Sequence, residues 1–94
     1  MSIGLLLVDC FIPESLSLKG KRHILSSLTE RLRRQFNIAV AEVDFQDQWQ
    51  RARLAIVLVN TNGRMLQSSM SKITEFLERD RRVMATVVET RQLS

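Results

Sequence analysis

Two segments of this 94-residue chain repeat their apolar residues every three or four positions, and four short apolar runs surround them. Such spacing places the apolar side chains on one stripe of an α-helix, and that stripe must be buried against another element. The first helix is predicted over residues 18–36 and the second over residues 64–79. The two stripes consist of Leu18, Ile24, Leu25, Leu28, Leu32 and Phe36, and of Leu66, Met70, Ile73 and Leu77.

The four apolar runs are rich in aliphatic and β-branched residues and are bounded by turn-forming residues, which is typical of strands. The predicted strands span residues 3–12, 38–45, 51–60 and 82–90. Strands and helices therefore follow one another in the order β-α-β-β-α-β. Two split β-α-β units of this size predict a ferredoxin-like α+β sandwich. We expect a single domain over residues 1–94, with a four-stranded antiparallel sheet of order 4-1-3-2 and two helices on one face.

Composition excludes several classes of protein. The single cysteine, Cys10, rules out an internal disulfide, and its place in an aliphatic strand predicts a small core hydrophobe. No apolar run approaches the roughly 18 residues that a membrane helix needs. The first residues lack the basic region of a signal peptide, and Asp9 follows their short apolar run. These features predict a cytoplasmic protein with no membrane partner.

The second and third strands predict a hairpin centred on residues 47 and 48. One antiparallel register places Asp44 opposite Arg51. The same register places Glu42 opposite Arg53, so that opposite charges share one face of the sheet. The other face is then wholly apolar and is predicted to meet the helices; it contains Ala41, Val43, Phe45, Ala52, Leu54 and Ile56.

The sheet face turned away from the helices is predicted to be more apolar than a solvent-facing sheet requires. By alternation it contains Leu5, Leu7, Val40 and Val57. An exposed apolar patch of this kind marks an interface, and a second copy of the chain is the simplest partner. These four residues are therefore candidate oligomer-interface residues.

The first helix carries the basic charge of the chain. Between residues 18 and 36 there are six basic residues and the single acid Glu30, in a chain of formal net charge +4. A localised basic helix without a catalytic motif favours an anionic partner, most simply a nucleic acid. A solvated helix face is the alternative interpretation. The candidate nucleic-acid-binding residues of the helix are Lys19, Lys21, Arg22, Arg31, Arg33 and Arg34.

Lys21, Trp49 and Arg51 are candidate residues that do not lie on the exposed side of the predicted helix. Lys21 projects near the apolar stripe, so we expect it either to extend outward or to pair with a carboxylate at a strand end. Trp49 and Arg51, in and beside the hairpin turn, complete the set of candidate nucleic-acid-binding residues. A tryptophan in a polar loop either anchors a partner or folds over the end of the core.

No group of residues in the sequence predicts catalysis or a cofactor. Glu42, Asp44 and Asp47 with His23 are a conceivable site for a hard metal, but the opposing arginines favour ion pairs. An acylphosphatase needs glycine and arginine in the loop that here reads IPESLS. An RNA-recognition motif needs aromatic residues on its central strands, and RARLAIVLVN has none. We therefore expect a protein that is not an enzyme and holds no metal or cofactor.

Three stretches of the chain resemble the YlxP-like family of small bacterial proteins of unknown function. They are SLKGKR at residues 17–22, RRQFNIAVAEVD at residues 33–44 and QDQWQRARLAI at residues 46–56. The resemblance covers nearly the whole chain and implies a ferredoxin-like fold. Genes of that family often lie beside those for translation factors and ribosome-binding factor A, which implies a place in translation or ribosome assembly. No catalytic residue is established for the family, and the matching motif residues are Lys19, Lys21, Arg22, Glu42, Asp47, Trp49, Gln50 and Arg51.

Two hypotheses of function result from these observations. The first is a non-enzymatic cytoplasmic binding protein that docks on structured RNA or the ribosome through the basic helix and the turn at residues 46–51. The second is a homo-oligomeric interaction or regulatory module that uses the open sheet face. In the second hypothesis the basic helix has no nucleic-acid partner.

Overall fold

The computed structural model describes residues 1–93. Its elements are β1 (Ser2–Phe11), α1 (Leu18–Gln35), β2 (Ile38–Asp44), β3 (Arg51–Asn60), α2 (Gly63–Glu78) and β4 (Met84–Gln92). The strands form one antiparallel sheet of order β2-β3-β1-β4, which is the predicted order read from the opposite edge. The predicted α+β architecture, with a four-stranded antiparallel sheet and two helices, is therefore confirmed. Neither helix is long and apolar enough to span a membrane.

One core lies between the sheet and the two helices. Alternate residues of β1 and β3 face it, and the apolar stripes of α1 and α2 pack on it. Its strand residues include Leu6, Val8, Cys10, Ala52, Leu54, Ile56 and Leu58, and its helix residues are Leu25, Leu28, Leu32, Leu66, Met70, Ile73 and Leu77. The sheet order leaves β2 at one edge, and α1 packs beside that edge.

The segment before β4 forms a turn, so this strand begins two residues later than predicted. The backbone N–H of Val83 donates to the carbonyl oxygen of Asp80 at 3.3 Å. The backbone N–H of Arg82 donates to the Asp80 side chain, at Oδ1, over 2.9 Å. Both N–H groups are used within the turn and are not available to the sheet.

The predicted register of the β2–β3 hairpin is wrong by one residue. Ala41 lies opposite Ala55, and a β-bulge between Glu42 and Asp44 then places Asp44 opposite Arg53. Because side chains alternate along a strand, this slip exchanges the two faces of β2. Neither of the predicted charge pairs is therefore formed.

The observed register also removes Val40 from the open face of the sheet. Val40 and Ile38 pack against the core, whereas Ala39 and Ala41 are exposed. Burying two branched side chains removes more apolar area from water than burying two alanines, which favours this register. The prediction that Val40 belongs to an oligomer interface on the open face is therefore wrong.

An ion pair between β1 and β3 takes the place of the predicted hairpin pairs. Arg53 donates to both carboxylate oxygens of Asp9, from Nε at 2.6 Å and from Nη2 at 3.1 Å. The hydrogen bonds from Arg53 lower the pKa of Asp9. Asp44 lies farther away, with its Oδ2 at 3.7 Å from Nη1 of Arg53.

The face of the sheet opposite the core carries several large apolar side chains together with the Asp9–Arg53 ion pair. Leu5 and Leu7 are half-buried on it, and Val57 is 37% exposed. Other large apolar side chains are exposed on or beside this face: Phe11, Val43, Val59, Met84 and Val88. We refer to it as the open face, because both helices of residues 1–93 pack on the other side.

Candidate nucleic-acid interface

Four side chains of α1 project into solvent and define the basic face: Lys19, Arg22, Arg33 and Arg34. The helix begins where the Ser17 side chain accepts a hydrogen bond from the N–H of Gly20 at 2.9 Å. Its opposite stripe enters the core, so the solvent side is free to carry charge. Within residues 1–93, no acidic side chain pairs with any of the four cations.

The positive side chains at the N-terminal end of the basic face are unfavourably placed with respect to the helix dipole. The N-terminal end of a helix has a partial positive charge and is stabilised by acidic side chains. The first turn of α1 contains Lys19 and no acid, and Arg22 follows one turn later. An anion bound at this end would therefore reduce the repulsion between like charges.

The cations of the basic face are spread along the helix and do not point to one common site. Arg22 and Arg33 line a groove of about 170 Å³ between α1 and the edge strand β2, with Ser26 and Thr29 between them. At 1.5 Å of helix rise per residue, the two arginines are separated by about 16 Å along the axis. Arg33 also donates from Nη2 to the Val40 carbonyl oxygen at 3.2 Å. This spacing fits separate phosphates of a polyanion better than it fits one small anion.

Lys21 is buried and does not belong to the basic face. Its side chain is 1% exposed, and Nζ donates to Oε2 of Glu42 at 2.9 Å. Nζ also donates to the carbonyl oxygens of Phe45, Gln46 and Arg51, at 2.8, 3.2 and 3.1 Å. The three protons of the ammonium are thus shared among four protein acceptors. Pairing with a carboxylate is confirmed, and the prediction that Lys21 binds nucleic acid is wrong because no donor remains for a phosphate.

Arg31 is directed toward an acid in the α2–β4 turn. Its Nη2 forms an ion pair with Oδ2 of Asp80, and its guanidinium lies 5.7 Å from the centroid of the Phe76 ring. Arg82 donates to the same carboxylate, from Nη2 at 2.9 Å and from Nε at 3.2 Å. Hydrogen bonds from Arg82, supported by Arg31, lower the pKa of Asp80 to about 2. Arg31 and Arg82 share this one carboxylate, and Arg31 is directed toward Asp80 rather than into the basic face defined above.

Asp80 is a residue whose role the sequence interpretation missed. Its side chain is 5% exposed and pairs with Arg31 of α1 and with Arg82 of its own turn. Arg82 also donates from Nη2 to Oγ of Ser27 in α1 at 3.2 Å. The signal in the sequence is a single acid inside the basic run RDRR at residues 79–82. The second partner, Arg31, is far away along the chain, so local pattern alone could not identify the pair.

The hairpin tip, residues 45–51, contains the remaining predicted residues. Trp49 is 56% exposed, so of the two predicted alternatives it does not fold over the core. Arg51 is exposed, and its guanidinium lies 4.3 Å from the centroid of the Phe45 ring. Lys21 of α1 binds the backbone of the tip and pairs with Glu42, and Glu42 and Arg22 line the same groove between α1 and β2. The tip therefore lies next to the end of the groove that contains Arg22.

The other side chains with possible chemistry are engaged or buried. Cys10 is buried in the core, which confirms the prediction of a core hydrophobe, and this burial raises the pKa of its thiol to about 12. Glu42, which belonged to the conceivable metal site, forms an ion pair with Lys21. In the part of the chain that the structure describes, no three His, Cys, Asp or Glu side chains lie together as metal ligands.

Comparison with known proteins agrees with the resemblance seen in the motifs. A family model described as "Protein of unknown function (DUF503)" matches residues 3–91. The chain is also 27% identical over 88 residues to "Uncharacterized protein YlxP" of Bacillus subtilis (strain 168), covering 94% of this chain and 96% of that protein. The basic face and the hairpin tip both fall within the matched residues. Because the family model spans nearly the whole chain, the protein belongs to the DUF503 family of proteins of unknown function.

Proposed function

We propose that this protein is a non-enzymatic cytoplasmic binding protein that docks on structured RNA or the ribosome through the basic face of α1. The observation that carries the proposal is the set of four exposed cations that have no acidic partner among residues 1–93. Lys and Arg heads that meet phosphates release condensed counterions, and this release drives binding to a nucleic acid. The length of the face along the helix supports a polyanion as the partner.

Replacing Arg22, Arg33 and Arg34 with glutamine is expected to weaken binding to a stem–loop RNA across different sequences. The substitutions remove three phosphate contacts and leave the buried stripe of α1 intact, so the fold should be retained. The slope of log K against log salt should become shallower by about 2 units. Fluorescence anisotropy of labelled RNA, measured between low and physiological salt, gives both quantities.

A matched control removes the same charge from another helix. Arg64 and Lys72 of α2 and Arg79, which follows its last residue, are exposed, and their replacement with glutamine changes the net charge by the same amount. This variant should keep nearly all of the affinity of the parent. Equal affinity of the basic-face variant and the parent, or no binding of the parent at low salt, would refute the RNA hypothesis. Sedimentation with ribosomal fractions at low and high salt distinguishes the ribosome from free RNA.

A second candidate function is self-association through the open face, which the exposed apolar side chains favour. We expect the parent to form a homo-oligomer at high protein concentration. Val57→Lys should shift it to a monomer, because a charge in an apolar interface must lose its hydration. Val59→Thr is the control: it changes a neighbouring exposed valine without adding a charge, so it should disturb the oligomer less than Val57→Lys does. Light scattering that shows the parent as a monomer at high concentration would exclude this candidate.

A further inference from the structure

The hairpin tip presents its tryptophan from a rigid base. Lys21 holds the tip from beneath through three backbone carbonyls on both sides of the turn. On the other arm, the side chain of Gln50 donates from Nε2 to the Pro13 carbonyl at 2.9 Å, and the backbone carbonyl of Gln50 accepts from the N–H of Ile12 at 2.8 Å. Trp49 lies between these anchors and is nevertheless exposed.

The backbone of the tip also contains a strained residue. Phe45 has a φ of 62°, a left-handed conformation that residues other than glycine adopt at a cost. It is maintained by hydrogen bonds from its N–H to Oδ1 of Asp44 at 2.8 Å and from the N–H of Gln48 to its carbonyl at 3.0 Å. Strain of this kind persists where surrounding contacts determine the conformation, and it is common at binding elements.

The polar groups around Trp49 suit a base rather than a phosphate. Gln46 and Gln48 are exposed and offer both donors and acceptors, as the edges of bases do. Asp47 would repel a phosphate at the tip itself. The cation that suits a phosphate is Arg22 of the basic face, which lines the groove together with Glu42, the partner of Lys21. The hairpin tip therefore suits the base of a nucleotide, and the basic face suits its phosphate.

We propose that the hairpin tip binds an unpaired base of a structured RNA, stacked on Trp49, while the basic face of α1 holds the neighbouring phosphates. The inference rests on the proposed function and names the RNA feature that the site requires. Aromatic side chains stack on unpaired bases, whereas bases inside a duplex are stacked on one another and not accessible. A rigid tip loses little conformational freedom when it binds such a base.

The test uses the intrinsic fluorescence of Trp49, the single tryptophan of the chain. The probes are a stem–loop RNA with unpaired loop bases and a blunt-ended duplex with the sequence of its stem. The stem–loop should change the emission of Trp49 and the duplex should not. Trp49→Leu should weaken binding of the stem–loop about tenfold, with an unchanged salt slope and unchanged binding of the duplex. Trp49→Phe should retain most of the affinity, since it keeps an aromatic ring.

The outcomes separate this inference from the function on which it rests. If Trp49→Leu binds the stem–loop as tightly as the parent does, stacking on the tip is refuted while RNA binding stands. The same conclusion follows if the substitution lowers the affinity for the stem–loop and for the duplex equally. If the parent binds neither RNA at low salt, the proposed function itself fails. Equal thermal unfolding of the parent and Trp49→Leu, expected because the side chain is exposed, excludes misfolding as the cause.

Discussion

Replacing Lys21 with methionine is expected to lower the free energy of unfolding by about 3–5 kcal/mol. Methionine has an apolar side chain of similar length, but it cannot donate to Glu42 or to the three carbonyls of the hairpin tip. The loss leaves a half-buried carboxylate and several backbone acceptors without partners, and their desolvation accounts for most of the effect. Urea denaturation followed by circular dichroism measures the change.

Lys19→Met is the matched control, because it makes the same substitution at an exposed site of the same helix. Its effect should stay within about 0.5 kcal/mol. Combining Lys21→Met with Glu42→Leu removes the uncompensated carboxylate as well, so the double variant should recover part of the lost stability. Equal stability of the Lys21 and Lys19 variants would show that the buried ammonium does not stabilise the tip.

Asp80→Asn is expected to destabilise the protein by about 2 kcal/mol at neutral pH, because the ion pairs of the carboxylate with its two arginine partners are lost. The pKa of Asp80 lies at about 2 in the folded protein, against an ordinary value of 3.8. A carboxyl with a lowered pKa contributes stability above its unfolded-state pKa and loses it as the pH falls through its folded-state pKa. The gap between parent and variant should therefore begin to close near pH 4, be mostly lost at pH 2, and vanish below the folded-state pKa. Denaturation curves from pH 7 downward test this.

Glu89→Gln provides a control for the same measurement. Glu89 pairs with Arg91 on the surface, with Oε2 and Nε at 3.0 Å and both side chains exposed. An exposed pair contributes little, so this variant should follow the parent at every pH. A gap between Asp80→Asn and the parent that stays constant with pH would contradict the role of the ionised carboxylate.

Local sequence determined the elements of this protein and the location of its charge. The helices form where apolar residues recur every three or four positions, and each stripe becomes one side of the core because a helix of this kind must bury it. The strands form at the aliphatic runs, and their order along the chain limits the topologies that the sheet can adopt. The exposure of Lys19, Arg22, Arg33 and Arg34 depends only on helical geometry, and it was therefore predictable.

Tertiary structure alone decided the hairpin register and the partners of the inner charges. The sequence allows charge pairing in a register that buries alanines, but packing against α1 favours the register that buries Ile38 and Val40. That choice turns Glu42 toward Lys21, and it decides between the two predicted positions of this lysine, which becomes the buried support of the hairpin tip. The pair of Arg31 and Asp80 is likewise decided by tertiary structure. The energy of such a pair depends on the distance between two charges, and these two residues lie far apart in the chain.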